Sequence, residues 1–166
     1  KLDALKEALC PETILVSIMY VNNEVGTVQP VEEAASIVKD YNPSILFHSD
    51  AVQGFGKYRI YPKRQKIDLL SVSGHKIHGP KGTGFLYIGE KVKIRPILFG
   101  GGQQRDIRSG TENVPGIAGL GLAAELAYKD FDIKTALMRE LKEYFISEIG
   151  KMENTVIHGV ADEGSA

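Results

Sequence analysis

The hydrophobic residues of the chain fall into short, nearly continuous runs, separated by segments in which apolar positions recur at helical spacing. Continuous runs of this kind are typical of strands that are buried on both faces of a sheet. They predict strands at residues 13–21, 44–49, 67–72, 84–88 and 93–99. The chain is therefore expected to build a sheet that lies in the interior of its domain.

Helical periodicity predicts four helices, at residues 1–9, 31–41, 115–129 and 133–149. Pro11 ends the first helix, because the residue before a proline is pushed out of the α conformation. Pro30 and Pro115 are well placed in the first turns of the second and third helices. Buried strands that alternate with helices indicate an α/β fold, with a mostly parallel sheet covered by helices on both faces.

Composition and charge exclude several classes of partner. The 166 residues are 43% hydrophobic and 25% charged, which fits one globular domain. The formal net charge of −1 gives no electrostatic reason to expect nucleic acid or a membrane surface, and no apolar run is long enough to span a bilayer. The single cysteine, Cys10, cannot form an internal disulfide, which favours a reducing cytoplasm.

Polar, glycine-rich segments follow three of the predicted strands, and they read NNEVG, DAVQG and SGHKIHG. Ligands of open α/β sheets bind at the carboxyl ends of the strands, because the loops that follow the strands meet there. The topology therefore predicts one crevice, lined by Asn23, Asp50, Gln53, Ser73, His75 and Lys76.

Lys76 and Asp50 favour a particular chemistry in that crevice. A desolvated lysine is nucleophilic and forms Schiff bases with aldehydes. A carboxylate at the end of a buried strand is costly without a partner, and the ring nitrogen of pyridoxal phosphate (PLP) is stabilised in its protonated form by such a carboxylate. Ser73, His75 and Thr111 supply donors for a phosphate. These residues predict a PLP site with Lys76 as the covalent anchor.

Plainer interpretations stand beside this one. Lys76 fits a solvated surface charge, and Asp50 fits the cap of a turn or helix. A metal hydrolase is the main competing function, since imidazole and carboxylate are usual metal ligands. Its ligands would be His48, Asp50, His75 and His78. The segment GPKGTG lacks the residue order of a P-loop, and SVSGH is not the nucleophile elbow of the α/β hydrolases.

Four segments resemble, in order and spacing, the motifs of NifS-like cysteine desulfurases, which belong to the class V aminotransferase group of fold-type-I PLP enzymes. The segments are VSIMYVNNEVGTVQP, HSDAVQGFGK, SVSGHKIHGPKGTGFLYI and GGGQQRDIRSGTENVPGIAGLG, within residues 14–122. The resemblance implies the fold-type-I PLP-dependent transferase fold. Residues 1–153 would be the central part of its PLP-binding large domain, and residues 154–166 the start of a truncated C-terminal small domain.

The resemblance also implies a role for each candidate residue. Lys76 would form the Schiff base with the cofactor and then move the proton of the substrate Cα. Asp50 would pair with the ring nitrogen. The other positions would complete the cofactor site: Asn23 and Gln53 near the ring oxygen, Ser73 and His75 at the phosphate, and Thr111 at the phosphate of the second subunit of a homodimer.

The implied reaction converts L-cysteine to L-alanine and leaves the sulfur on an enzyme cysteine as a persulfide. The sulfur then passes to an acceptor, such as an iron–sulfur scaffold protein. Cys10 matches no functional position of the family, and the persulfide cysteine of the family would lie beyond Ala166. The isolated chain is therefore expected to be inactive as a fragment of a longer enzyme.

Two alternatives to the desulfurase stay open at the level of the sequence. One is another class V enzyme, such as a selenocysteine lyase or an aminotransferase. The other is a non-catalytic module that keeps the fold for cofactor binding or dimerisation. The intact pair of Lys76 and Asp50 favours an enzyme, because a retired site needs neither a lysine at a strand end nor a buried carboxylate.

Overall fold

Within the residues that the structure describes, four strands form one sheet in the order in which they follow along the chain. A computed structural model describes residues 1–158. Its strands are β1 (Leu15–Met19), β2 (Leu46–Asp50), β3 (Leu69–Ser73) and β4 (Gly84–Ile88). The pairs β1–β2 and β2–β3 are parallel, and β3–β4 is antiparallel. The mostly parallel α/β sheet predicted from the sequence is thereby confirmed.

The helices described in residues 1–158 are α1 (Leu2–Ala8), α2 (Val31–Tyr41), α3 (Val114–Tyr128) and α4 (Phe131–Ile149). A single turn of 3₁₀ helix, Gly74–Ile77, follows β3 directly. The bounds of α2 and β4 agree with the sequence prediction residue for residue. No helix in the described part of the chain is long and apolar enough to cross a lipid bilayer.

The hydrophobic core lies between one face of the sheet and α2. Phe47 of β2 and Val38 of α2 are both fully buried, at 0% exposure. Ala34 and Ala35 lie on the same buried face of α2, where short side chains let a helix approach its neighbours closely. Leucines of α1 pack against the edge of this cluster. Burial of this apolar face is the main force that holds α2 to the sheet.

The opposite face of the sheet is polar. Ser17 pairs with His48, and Asp50 pairs with Ser71. Paired residues of neighbouring strands share a face, so all four side chains lie on this side of the sheet. Leu15 lies on this face as well and is 48% exposed. β2 and β3 therefore combine a buried side that stabilises the fold with a second side that carries His48, Asp50 and Ser71.

The sequence prediction that β1 is buried on both faces is wrong for the structure described. β1 is an edge strand whose only strand neighbour in residues 1–158 is β2, and its side chains are exposed or half-buried. An apolar run reports that a strand is hydrophobic, but not whether it lies in the centre or at the edge of the sheet.

The predicted fifth strand at residues 93–99 is also wrong. These residues form no strand, and Leu98 makes an isolated bridge to Arg108. Pro96 interrupts the run and has no N–H to donate to a sheet. Residues 155–157, predicted as an apolar run that opens a small domain, are not in a strand. Residues 159–166 lie outside the described residues, so the domain boundary at 153 stays a prediction.

A largely buried ion pair ties α2 to two strands. Lys39 Nζ pairs with Asp68 Oδ2 and also donates to the carbonyl oxygen of Ile45 at 2.7 Å. The same carboxylate oxygen accepts the backbone N–H of Phe47 at 2.7 Å. The two charged side chains are only 17% and 24% exposed. Asp68, the residue that precedes β3, therefore ties the start of that strand to the C-terminal half of α2 and to the first part of β2.

Replacing Asp68 by alanine leaves the Lys39 charge and the Phe47 N–H without their partner. We expect Asp68→Ala to lower the free energy of unfolding by about 3 kcal/mol, as for other broken buried pairs. Glu90→Ala is the matched control, because its pair with Lys63 is 81% and 75% exposed and such pairs contribute about 0–1 kcal/mol. Urea unfolding of the full-length protein measures both, and equal losses would contradict the assignment.

Candidate active site

The parallel pairing of β2 and β3 brings the predicted acid and the predicted lysine loop to one edge of the sheet. Asp50 is the last residue of β2 and pairs in register with Ser71. Ser73, two residues further along β3, shares the face of Ser71 and ends the strand. Lys76 follows in the 3₁₀ helix. Asp50 and the lysine loop thus leave the sheet at the same end, as the sequence predicted.

Local hydrogen bonds orient Asp50. Its Oδ1 accepts the backbone N–H of Val52 at 2.9 Å, and its carbonyl oxygen accepts the N–H of Tyr20 at 2.7 Å. The first bond is an Asx turn, which fixes a carboxylate relative to the backbone. Asp50 is half-buried. An ionised carboxylate has further acceptor sites on both oxygens, so a donor in the crevice still finds an acceptor here.

The 3₁₀ helix places its polar residues outward and its apolar residues inward. Gly74 and Ile77 are buried, and Ile77 packs against Leu120 and Ala123 of α3. His75 and Lys76, between them, are exposed. The buried residues at both ends of this turn fix the backbone, while the imidazole and the amine project away from the core.

Ser73 and His75 form a pair beside the lysine. The Ser73 hydroxyl is hydrogen-bonded to Nδ1 of His75 at 2.7 Å. Ser73 is the N-cap of the 3₁₀ helix, and its side chain makes no capping bond to the helix backbone. With a neutral ring this bond leaves one donor for an anion, either the hydroxyl or the Nε2–H, and both donate only when the ring is protonated.

The loop after β2 packs against the lysine loop. Gly56 has a φ of +80°, and a Cβ built there would lie 2.9 Å from Ile77 Cγ2. The Gly56 N–H donates to the hydroxyl of Tyr128 at 3.1 Å, and this hydroxyl donates to the carbonyl oxygen of Tyr58 at 3.0 Å. Tyr128 of α3 therefore anchors the loop, and glycine allows its close approach to the turn that carries Lys76.

A second lysine lies near the first, and sequence reasoning missed it. Lys57 is half-buried and donates to the carbonyl oxygen of Gln53 at 3.0 Å. Burial lowers the pKa of Lys57, and the positive charge of Lys76 lowers it further. The bonded atom of Gln53 is its backbone oxygen, and the role of its side chain stays a prediction. The position of Lys57 depends on how the glycine-rich loop folds, which no local pattern encodes.

Several predicted site residues make no side-chain hydrogen bond to another candidate site residue within residues 1–158: Asn23, Asp50, Gln53, Lys76 and Thr111. The Asn23 side chain is exposed and donates to Glu24 Oε1 at 2.9 Å. Thr111 is exposed in the segment between β4 and α3. Asn23 nevertheless follows β1 at the correct edge, because the bond from Tyr20 to Asp50 joins the ends of β1 and β2. Their roles stay predictions.

The metal alternative finds no support in residues 1–158, where no group of three histidine, cysteine or acidic residues is arranged to hold a metal ion. His48 instead bonds to two serines on neighbouring strands. Its Nδ1 is 2.7 Å from Ser17 Oγ and its Nε2 is 2.6 Å from Ser71 Oγ. Both ring nitrogens are thus occupied. Ser17 and Ser71 interrupt apolar strands, which was the sequence signal for this network.

Comparison with known proteins identifies the family. The profile of the family described as aminotransferase class-V matches residues 1–165. This chain belongs to the aminotransferase class-V family. The match includes the whole of the described sheet and all the candidate site residues.

Class-V relatives of this chain are named cysteine desulfurases. It is 55% identical over 141 residues to the putative cysteine desulfurase IscS 1 of Bacillus subtilis, covering 85% of this chain and 37% of that protein. It is 45% identical over 165 residues to the cysteine desulfurase IscS of Rickettsia prowazekii, covering 98% of this chain and 40% of that protein. The chain therefore spans well under half the length of these relatives.

Solved class-V structures share the fold. A NifS-like protein at 44% identity superposes with a TM-score of 0.91, covering 96% of this chain and 44% of that one. A structure of SspA in complex with cysteine, at 43% identity, gives a TM-score of 0.72 over 75% of this chain and 36% of that one. The fold-type-I architecture inferred from the sequence motifs is confirmed.

Gly84 is expected to be essential for the geometry of this class-V site. It pairs with Ser73, and a Cβ at position 84 would lie 2.4 Å from the carbonyl oxygen of Val72. Gly84→Ala must shift β4 or the end of β3, at a cost of about 1–3 kcal/mol. Gly121→Ala is the control, because nothing lies within 4 Å of its Cβ and alanine favours the helix by about 1 kcal/mol. Thermal unfolding of the two full-length variants should shift in opposite directions. A Gly84→Ala variant as stable as the wild type would contradict the close approach.

Proposed function

We propose that this chain is the cofactor-binding part of a PLP-dependent cysteine desulfurase. The observation that carries the proposal is the meeting of Asp50, the Ser73–His75 pair and the Lys76 turn at one edge of the sheet. The names of the relatives support the same activity, although the chain spans 37% and 40% of the two curated relatives described above. We propose a cytoplasmic location for the enzyme.

The donor set of the crevice fits PLP. Lys76 is exposed, and not desolvated as predicted from the sequence, so its amine is accessible to a cofactor aldehyde. The half-buried carboxylate of Asp50 suits a protonated ring nitrogen. Ser73 and His75 supply a paired hydroxyl and imidazole for the phosphate. Burial lowers the pKa of Lys57 and the charge of Lys76 lowers it further, and a bound anion would oppose both effects.

Bound PLP supplies an electron sink for the negative charge that develops when the substrate Cα loses its proton. Lys76 holds the cofactor and, once it is released, moves that proton as base and then as acid. Asp50 would keep the ring nitrogen of bound PLP protonated. Gln53 and Asn23 would be the residues near its ring oxygen. Thr111 contributes to the phosphate site of the second subunit, so the active enzyme is a homodimer.

The substrate is L-cysteine and the products are L-alanine and a sulfur atom held by an enzyme cysteine as a persulfide. The sulfur then passes to an acceptor protein such as an iron–sulfur scaffold. Cys10 is exposed and precedes β1, at the opposite end of the sheet from the Lys76 turn. We therefore assign the persulfide to a cysteine outside these 166 residues.

Borohydride reduction tests the site directly. The full-length protein is incubated with PLP, reduced and digested, and the labelled peptide is identified by mass spectrometry. We expect the label on Lys76 and its loss in Lys76→Ala. Lys81→Ala is the matched control, because Lys81 is an exposed lysine on the same loop. A label on Lys57 or on any other lysine would contradict the assignment of Lys76 as the residue that binds PLP.

The reaction itself is tested by the alanine formed from L-cysteine. We expect Lys76→Ala to lower its rate by a factor of about 10³ or more, because it removes both the anchor and the proton-transfer group. Turnover of L-selenocysteine alone would identify a selenocysteine lyase instead. Labelling of Lys76 without turnover of either amino acid would identify a non-catalytic module.

A further inference from the structure

The histidine network on the polar face of the sheet has no role in the function proposed so far. It consists of Ser17 on β1, His48 on β2 and Ser71 on β3. Hydrogen bonds of 2.7 Å and 2.6 Å join the imidazole to the two hydroxyls. One side chain thus connects three adjacent strands. Strands of parallel sheets are usually apolar on both faces, so a polar row at this place calls for an explanation.

The network lies next to Asp50 on the same face of the sheet. His48 precedes Asp50 by two residues on β2, so both side chains leave the same face of the strand about 6.6 Å apart along it. Burial lowers the pKa of His48, and the negative charge of Asp50 opposes this shift. Ser71 is also the register partner of Asp50.

Burial disfavours the charged form of the His48 ring, which lies next to Asp50 on the same face of β2. The ring is partly buried, and its two nitrogens are matched by hydroxyls, which accept or donate as a neutral imidazole requires. A cation at position 48 would attract the Asp50 carboxylate towards the middle of the sheet. A neutral ring that is held from both sides fixes the strand and leaves the carboxylate for a ligand at the edge.

We propose that His48 is a positioning residue for Asp50, acting through the Ser17–His48–Ser71 network to hold the carboxylate for the protonated ring nitrogen of PLP. The inference rests on the proposed function. It assigns no contact between His48 and the cofactor or the substrate. Its effect on the cofactor must therefore pass through Asp50, which makes it separable from a purely structural role.

A double-mutant cycle in the full-length protein measures this dependence. The variants are His48→Phe, Asp50→Asn and the double variant. The readouts are the Kd for PLP and the absorbance maximum of the bound cofactor at one fixed pH. We expect His48→Phe alone to weaken PLP binding about tenfold, in line with the loss of one to two hydrogen bonds, and to move the absorbance maximum. In the Asp50→Asn background, His48→Phe should change neither readout.

Control variants separate positioning from general destabilisation. His158→Phe removes an exposed histidine outside the strands and helices and should match the wild type. His48→Gln retains a donor and an acceptor and should recover most of the affinity. If His48→Phe does not fold, the variants Ser17→Ala and Ser71→Ala enter the same cycle, since each removes one bond of the network.

Two results would overturn the inference. The first is a wild-type Kd and spectrum in His48→Phe. The second is an equal effect of His48→Phe with and without the Asp50 carboxylate, which would make the network a structural element only. Failure of the wild-type protein to bind PLP would instead overturn the proposed function, and this inference with it.

Discussion

The parallel pairing of β2 with β3 is the constraint on which the site depends. It aligns the carboxyl ends of two strands, so that a residue at the end of one and a loop at the end of the other occupy the same edge. The register Asp50–Ser71 then decides which side chains share a face. A shift of one residue would turn Asp50 to the apolar side, into the core that Phe47 and Leu70 fill. The hydrophobic pattern that stabilises the fold therefore also fixes the chemistry.

The connection between β2 and β3 is irregular, although a helix is the usual connection between parallel strands. Parallel neighbours require a crossover, commonly an α-helix, but residues 51–68 contain turns and no helix. Phe55 and Tyr58 pack on the core, and Tyr128 holds the segment from α3. Its glycines let it lie against the 3₁₀ turn. Gln53 and Lys57 lie on this irregular crossover and are joined by the bond from Lys57 Nζ to the Gln53 carbonyl oxygen.

The sequence predicted the parts of the fold that local patterns determine. The bounds of α2 follow from a proline start and a clear apolar face, and the site residues Asp50, Ser73, His75 and Lys76 follow from polar loops after buried strands. The edge position of β1 was not predictable, because it depends on which strands pair. The network around His48 was missed for a related reason. It requires the register of three strands, which arises only when residues 17, 48 and 71 are brought together.

Lys76 is exposed, but the turn that carries it is held by buried residues on either side of it. Desolvating an amine is costly, and Lys76 avoids most of that cost by projecting from a turn whose other residues, Gly74 and Ile77, are buried. Lys57 is half-buried, and burial lowers its pKa, as does the positive charge of Lys76. A phosphate or carboxylate bound between these amines would offset both effects. An anion bound near both amines would therefore raise the pKa of Lys57 toward its usual value.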